Sequence, residues 1–76
     1  MTMEKEIRFE IKKHLGVLET YSTGWRKEVN LISWNGGSTK YDIRDWSPTH
    51  EQMSRGITLH EHEMRSLAEI YFENQK

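Results

Sequence analysis

The sequence predicts an α+β domain in which an antiparallel sheet is followed by one C-terminal helix. Three observations predict it: runs of alternating apolar and polar residues before residue 47, an Asn-Gly pair between two of those runs, and apolar residues at spacings of three and four near the C-terminus. The chain has 76 residues, the size of one small domain. We therefore expect a single domain over residues 1–76, with the sheet at about 7–59 and the helix at about 59–74.

The first strand is predicted by the alternation from Ile7 to Leu18, which places Phe9 and Ile11 on its core side. Gly16 interrupts this pattern, and a glycine within a strand often marks a bulge or a tight bend. The polar residues 19–24 end in glycine and predict a loop to the next strand.

The second and third strands are predicted at residues 25–34 and 39–46, joined by a hairpin turn at Asn35-Gly36. Alternation separates two sets of side chains on this hairpin. The set expected in the core consists of Val29, Leu31, Tyr41 and Ile43. The set expected to face solvent includes Trp34, Arg44 and Trp46.

A loop, a short fourth strand and the helix complete the predicted order. Pro48 cannot donate to a sheet ladder, so residues 47–54 are expected to form a surface loop before a strand at 55–59. Thr58 and Glu61 have the spacing of a capping box. The helix that follows carries an apolar face of Met64, Leu67, Ala68, Ile70 and Tyr71.

Size, composition and charge exclude several classes of protein. A chain this short buries only about 60% of its unfolded surface, so a second subunit would stabilise it. The absence of cysteine excludes disulfide frameworks and thiolate metal sites. No apolar run approaches the roughly 20 residues that span a bilayer, so we expect no membrane span or signal peptide and a cytoplasmic protein. The net charge of −1 does not by itself indicate a nucleic-acid partner.

The candidate catalytic and metal-binding patterns fail on spacing. His60 and His62 are two positions apart, whereas a helical metal site needs four, so solvated histidines are the favoured interpretation. No spacing selects a catalytic set from Ser33, His14 and Asp42, and no glycine-rich phosphate-binding motif occurs. We expect no enzyme activity, no catalytic residue, no metal and no cofactor.

The two tryptophans and the arginine on one predicted sheet face permit two interpretations. Exposed Trp34 and Trp46 would stack on unpaired bases, each stack contributing about 1–3 kcal/mol, while basic side chains hold the phosphates. Alternatively, the indoles pack under the helix or in a subunit interface. Alternation alone leaves both interpretations open.

Two segments carry a family resemblance: YDIRDW at residues 41–46, and RGITL at 55–59 before the helix. Together they resemble the positive-cofactor-four family of transcriptional coactivators, which bind single-stranded DNA. A longer string, covering about residues 7–70, resembles the bacterial YdbC-type branch. That string comprises Phe9-Glu10-Ile11, His14 to Leu18, Gly24-Trp25, Asn30-Leu31 and Ser33-Trp34-Asn35-Gly36 together with the two segments.

The resemblance implies a curved four-stranded antiparallel sheet with a C-terminal helix, assembled as a homodimer. It implies binding of single-stranded DNA with little sequence preference, in transcription, replication or repair, near the bacterial nucleoid. RNA binding, or a protein-interaction surface on the same aromatic face, is the alternative, and transcription or repair proteins are possible partners. By position, the resemblance implies contacts to nucleic acid from Lys13, Trp34, Arg44, Trp46 and Arg55, with Trp25, Arg26, Lys27 and Lys40 as further candidates.

Lys13 presents a geometric difficulty within this assignment. Strict alternation places it with Phe9 and Ile11 on the core side. A bulge or strong curvature of the first strand is therefore required to free its side chain.

Overall fold

A computed structural model describes residues 8–75 as a four-stranded antiparallel sheet followed by one helix. Each strand pairs with the next along the chain, so the sheet order is β1-β2-β3-β4. The predicted fold class and element order are confirmed; Ile7, the predicted start of the first strand, lies outside the described residues. The elements are β1 (Phe9–Thr20), β2 (Arg26–Trp34), β3 (Thr39–Trp46), β4 (Met53–Leu59) and α1 (Glu61–Glu73).

The β2–β3 hairpin forms at the predicted Asn-Gly turn. Asn35 and Gly36 have φ angles of 50° and 77°, and the Gly37 N–H donates to the Trp34 carbonyl at 2.8 Å. Two successive left-handed residues define the tight turn whose twist matches that of the flanking strands. The β2–β3 register then continues without interruption from Ser33 opposite Thr39 to Arg26 opposite Trp46.

Strand β1 contains three register shifts, which lie between Ile11 and Lys13, between His14 and Gly16, and between Val17 and Glu19. The second coincides with the glycine that predicted a bulge. The first lies immediately before Lys13, so Ile11 pairs with Ile32 whereas Lys13 pairs with Leu31 and points to the other face. Bulges bend a strand and increase its twist, so β1 curls strongly over the sheet.

The pairing divides the sheet into two faces. The inner face carries Phe9, Ile11, Glu28, Asn30, Ile32, Trp34, Asp42, Arg44 and Trp46. The outer face carries Val29, Leu31, Tyr41, Ile43, Ile57 and Leu59. Trp34 and Trp46 lie near opposite ends of the β2–β3 ladder, yet the Phe9 ring is 5.9 Å from one and 5.2 Å from the other. The sheet therefore coils around its inner face.

Burial reverses the expectation for the two sets of side chains. Ile32 and Trp46, on the inner face, are 0% and 1% exposed. The four residues predicted to form the core, Val29, Leu31, Tyr41 and Ile43, are only half-buried. Alternation assigns residues to sides of a strand, but the coiling of the whole sheet decides which side closes on itself.

The last strand and the helix differ slightly from the predicted bounds. Strand β4 already begins at Met53, so the preceding loop is shorter than expected. The helix starts after His60, whose N–H donates to the Glu63 carboxylate at 2.8 Å. The predicted cap at Thr58 is wrong: Thr58 belongs to β4, and its hydroxyl donates to Asp42 at 2.9 Å.

Helix α1 lies along the outer side of β3 and β4. Its residues Leu67 and Ile70, 45% and 57% exposed, line an apolar groove of about 340 Å³ with Ile57 and Leu59. No residue of the helix is fully buried within the described part of the chain. In residues 8–75, no helix has the length and apolar character needed to cross a membrane.

Candidate nucleic-acid interface

Arg44 is fixed on the inner face by a buried carboxylate. Its Nε and Nη2 donate to the two Asp42 carboxylate oxygens at 2.6 and 2.9 Å, and Nη1 donates to the Ser54 carbonyl at 3.1 Å. Residues two apart on a strand share a face, which allows this two-pronged pair. The guanidinium carbon lies 4.8 Å from the Trp34 ring centroid, a cation–π distance. Trp34 is thereby held against a positive charge.

Strand β4 closes over this arrangement at Gly56, which pairs with Arg44. A Cβ atom at Gly56 would collide with the Arg44 side chain and the Ile43 carbonyl. The glycine in RGITL is therefore needed for the close approach of β4 to the arginine.

Four rings form an aromatic row along the inner face, in the order Trp34, Phe9, Trp46, His50. Trp46 is the most enclosed member, 5.2 Å from Phe9 and 5.3 Å from His50. Phe9 is 37% exposed, and Trp34 is half-buried. Among the described residues, neither indole N–H finds an acceptor. The expectation that Trp46 faces solvent is wrong; of the Phe and Trp rings in this row, Phe9 and part of Trp34 are accessible.

A second polar cluster centres on Glu28, which is 1% exposed. Its carboxylate accepts from Arg26 at 2.9 Å, from Asn30 at 3.1 Å and from His50 at 3.1 Å. Burial alone raises the pKa of Glu28, but the hydrogen bonds from His50, Asn30 and Arg26 and the His50 charge outweigh it, and the pKa falls below its ordinary value. The ionised carboxylate holds the β3–β4 loop, which carries His50, against the sheet.

The β2–β4 hairpins and most of the helix carry the family signature. Residues 21–70 match the sequence model of the family described as Transcriptional Coactivator p15 (PC4). The chain belongs to the PC4 family. It is also 40% identical over 65 residues to an uncharacterized protein from Treponema pallidum (strain Nichols), a match that covers 86% of this chain and 76% of that protein. The family consists of transcriptional coactivators that bind single-stranded DNA, and its domains bind nucleic acid rather than catalyse reactions.

The PC4 resemblance read from the sequence is thus confirmed. Of the residues it pointed to, the structure brings Trp34, Arg44 and Trp46 together on the inner face, as alternation predicted. Arg26 and Lys40 share that face. The Arg44 side chain is only 13% exposed and is already paired with Asp42, so it differs from the open phosphate ligand that was expected.

Four further candidates lie away from this group. Lys13 is exposed on the outer face, beside the first β1 register shift. Arg55 is exposed on β4. Trp25 is half-buried and lines a shallow cleft with Tyr21 and Asp45. Lys27 also points outward.

Lys27 is engaged in local contacts. Its ammonium lies 3.3 Å from the Asp45 carboxylate and 6.0 Å from the centre of the Tyr21 ring. Hydrogen bonding to Tyr21 and then to Asp45 raises the pKa of Lys27. Lys27 is therefore a cation that is already paired with Asp45.

Sequence reasoning missed Phe9, His14 and His50. Alternation places Phe9 on the core side, but nothing in the sequence shows that its ring contacts Trp34 on β2 and Trp46 on β3. His14 and His50 lie 36 positions apart but face one cleft beside Glu28. Only the register of β1 on β2 and the path of the β3–β4 loop reveal that proximity.

Proposed function

We propose that the chain binds single-stranded DNA with little sequence preference and acts as a coactivator-like protein in transcription, replication or repair. Membership of the PC4 family supports the class of ligand. The observation that carries the proposal for this chain is the contact between the Arg44 guanidinium and Trp34 on the inner face, next to a partly exposed Phe9. Positive charge beside accessible aromatic rings is the combination that binds unpaired nucleotides.

The stacking surface in this proposal consists of Phe9 and Trp34. Trp46 supports Phe9 from below, since the two rings are in contact and Trp46 is enclosed. Arg44 holds the Trp34 ring in place through the cation–π contact, while its own charge is balanced by Asp42. Unpaired bases stack on such rings whatever their identity, which accounts for weak sequence preference.

Phosphate contacts are assigned to cations with exposed nitrogen atoms. On the inner face these are Arg26, whose side chain is 40% exposed, and Lys40. Lys13, on the outer face, and Arg55, on β4, are also exposed, and we assign to them phosphates of a bound single strand that extend beyond the inner face. Each phosphate neutralised contributes a slope of about −0.7 to the log–log dependence of single-strand affinity on salt.

We also propose that the active unit is a homodimer. The helix and the outer face leave Ile57, Leu67, Ile70 and Tyr71 between 45% and 60% exposed, around an apolar groove. A thin core and an adjoining apolar surface favour association with a second copy that buries the same surface.

Fluorescence anisotropy of labelled oligothymidine tests the binding proposal. Trp34→Ala is expected to weaken binding by roughly 5- to 150-fold, because a stacked base contributes about 1–3 kcal/mol. Trp34→Phe restores most of the affinity, since a phenyl ring still stacks. The wild-type protein binds a duplex of equal length more weakly, and affinity falls with added salt. The absence of binding at low salt, or equal loss in both variants, would contradict the proposal; equal binding of oligouridine would extend it to RNA.

Sedimentation tests the dimer. Ile70→Lys places a charge within the apolar groove and is expected to lower the association constant at least about tenfold, with a melting temperature that no longer rises with protein concentration. Glu69→Lys, an exposed change at the neighbouring helix position, serves as the matched control. A wild-type chain that sediments as a monomer at high concentration would refute the dimer.

A further inference from the structure

A cleft of about 340 Å³ opens on the inner face, between β1, β2 and the β3–β4 loop. Its lining is unusually rich in groups that carry or acquire positive charge. The lining residues are Ile11, His14, Arg26, Glu28, Asn30 and His50. The side chains of Arg26, His14 and His50 are 40%, 48% and 34% exposed, so all three can meet a ligand in the cleft.

The hydrogen bonds determine which nitrogen of each histidine is free. Asn30 uses its amide nitrogen to donate to Glu28 at 3.1 Å, so its oxygen, 2.7 Å from His14 Nδ1, must accept a hydrogen bond from the Nδ1–H of that ring. His50 Nε2 lies 3.1 Å from both oxygens of the Glu28 carboxylate and donates to it. His14 Nε2 and His50 Nδ1 are the nitrogens left to gain a proton.

We infer that this cleft is a proton-dependent phosphate subsite, in which Arg26 and the protonated rings of His14 and His50 bind one phosphate of a single strand. The inference rests on the proposed function and adds two residues and a pH dependence to it. Glu28 acts as a positioning residue, because it fixes the tautomer of His50 directly and that of His14 through Asn30.

The sign of the pH dependence follows from the charges that face the cleft. With neutral histidines, the charge of Arg26 is cancelled by that of Glu28. The next charged pair on the inner face, Arg44 with Asp42, is also balanced. The remaining neighbours of the cleft, Asn30, Ile11 and Trp46, are uncharged. Lys40, nearer the Trp34 end of the inner face, contributes a positive charge that does not depend on the histidines. Histidine changes charge between about pH 5 and 8, so lowering the pH makes the cleft cationic and favours an anion.

The backbone supports a functional role for His50. Its φ angle of 65° is unusual for a residue other than glycine, and the loop holds it there. The imidazole is fixed by Glu28 on one side and contacts Trp46, 5.3 Å between ring centres, on the other. A strained residue held by the surrounding contacts is typical of a binding site.

Oligothymidine affinity measured at pH 8 and pH 6, at constant ionic strength, tests the inference. We expect the wild-type protein to bind more tightly at pH 6 by roughly fivefold for each histidine whose titration midpoint rises by about one pH unit on binding. His14→Gln and His50→Asn, the latter because asparagine tolerates a positive φ, each remove one such factor. His60→Asn removes an imidazole outside the cleft and keeps a good helix cap, so it retains the full pH dependence.

Histidine ring NMR of the wild-type protein provides a second measurement that does not depend on variant folding. On addition of oligothymidine, the titration midpoints of His14 and His50 should move to higher pH, while those of His60 and His62 stay. Tight oligothymidine binding with no pH dependence and unmoved His14 and His50 midpoints would overturn the subsite and leave the proposed function intact. No oligothymidine binding at either pH would overturn both.

Discussion

The two faces of the sheet invert the usual relation between polarity and burial. The inner face contains the ionisable side chains Glu28 and Asp42, and these are among the most enclosed in the molecule. The outer face and helix carry apolar residues such as Ile57 and Ile70, and these are more than half exposed. Each buried carboxylate on the inner face accepts hydrogen bonds from several donors, whereas the indole N–H groups of Trp34 and Trp46 find no acceptor among the described residues. Helix α1 covers only part of the outer face, and the apolar residues that it leaves exposed are those that the proposed homodimer would bury.

The largest expected difference between the faces comes from replacing one aromatic residue on each. Trp46→Ala should reduce the free energy of unfolding by about 4 kcal/mol, because it removes an enclosed indole that contacts Phe9 and His50. Phe72→Ala, on the helix where the ring is 71% exposed, should cost no more than about 0.5 kcal/mol. Urea denaturation measures both values. Similar losses would show that the inner face is not the principal core.

Asp42 and Asp45 lie on opposite faces of β3, and each pairs with a basic side chain. Asp42→Asn should destabilise the protein by about 3 kcal/mol, because Arg44 would keep a largely enclosed charge without its carboxylate. Asp45→Asn breaks a more exposed pair with Lys27 on the outer side and should cost less than about 1 kcal/mol. Thermal denaturation of the two variants measures both losses of stability. Equal effects would mean that the inner pair is as solvated as the outer one.

The smallest effect concerns the pH dependence of stability. Because the folded-state pKa of Glu28 lies below its ordinary value of 4.5, its stabilisation is complete above that pH and is lost as the pH falls through the folded-state pKa. Glu28→Gln should reduce the free energy of unfolding by about 2 kcal/mol at neutral pH. The free energy of unfolding of this variant should also fall less steeply than that of the wild type as the pH is lowered. Glu61→Gln, which removes an exposed carboxylate paired with Arg65, should leave the profile almost unchanged. Parallel acid profiles for wild type and Glu28→Gln would contradict this account.

The elements of the fold could be predicted from sequence because their signals are local. Asn35-Gly36 defines a turn through its own backbone preference, and the alternation of β3 gave its bounds as observed. The predicted cap at Thr58 is wrong because His60 and Glu63 have the same capping-box spacing, and Thr58 belongs to β4.

The candidate site was predicted only in part, because its geometry depends on coiling across strands. The shared face of Trp34, Arg44 and Trp46 follows from alternation and register. The enclosure of Trp46 and the pairing of Arg44 with Asp42 depend on how β1 and β4 close over that face. The Glu28 cluster brings together residues from β1, β2 and the β3–β4 loop, so no local sequence pattern predicts it.

The three register shifts of β1 have a bearing on solubility. Within the described residues this strand is one edge of the sheet, and it exposes Leu15, Val17 and Leu18 by 42%, 40% and 59%. A long, flat and apolar edge would offer unpaired backbone groups to the same edge of another molecule and promote fibrous aggregation. The repeated bulges bend the backbone out of the regular spacing that such pairing requires. The irregularities that coil the sheet therefore also protect its most apolar edge from uncontrolled self-association.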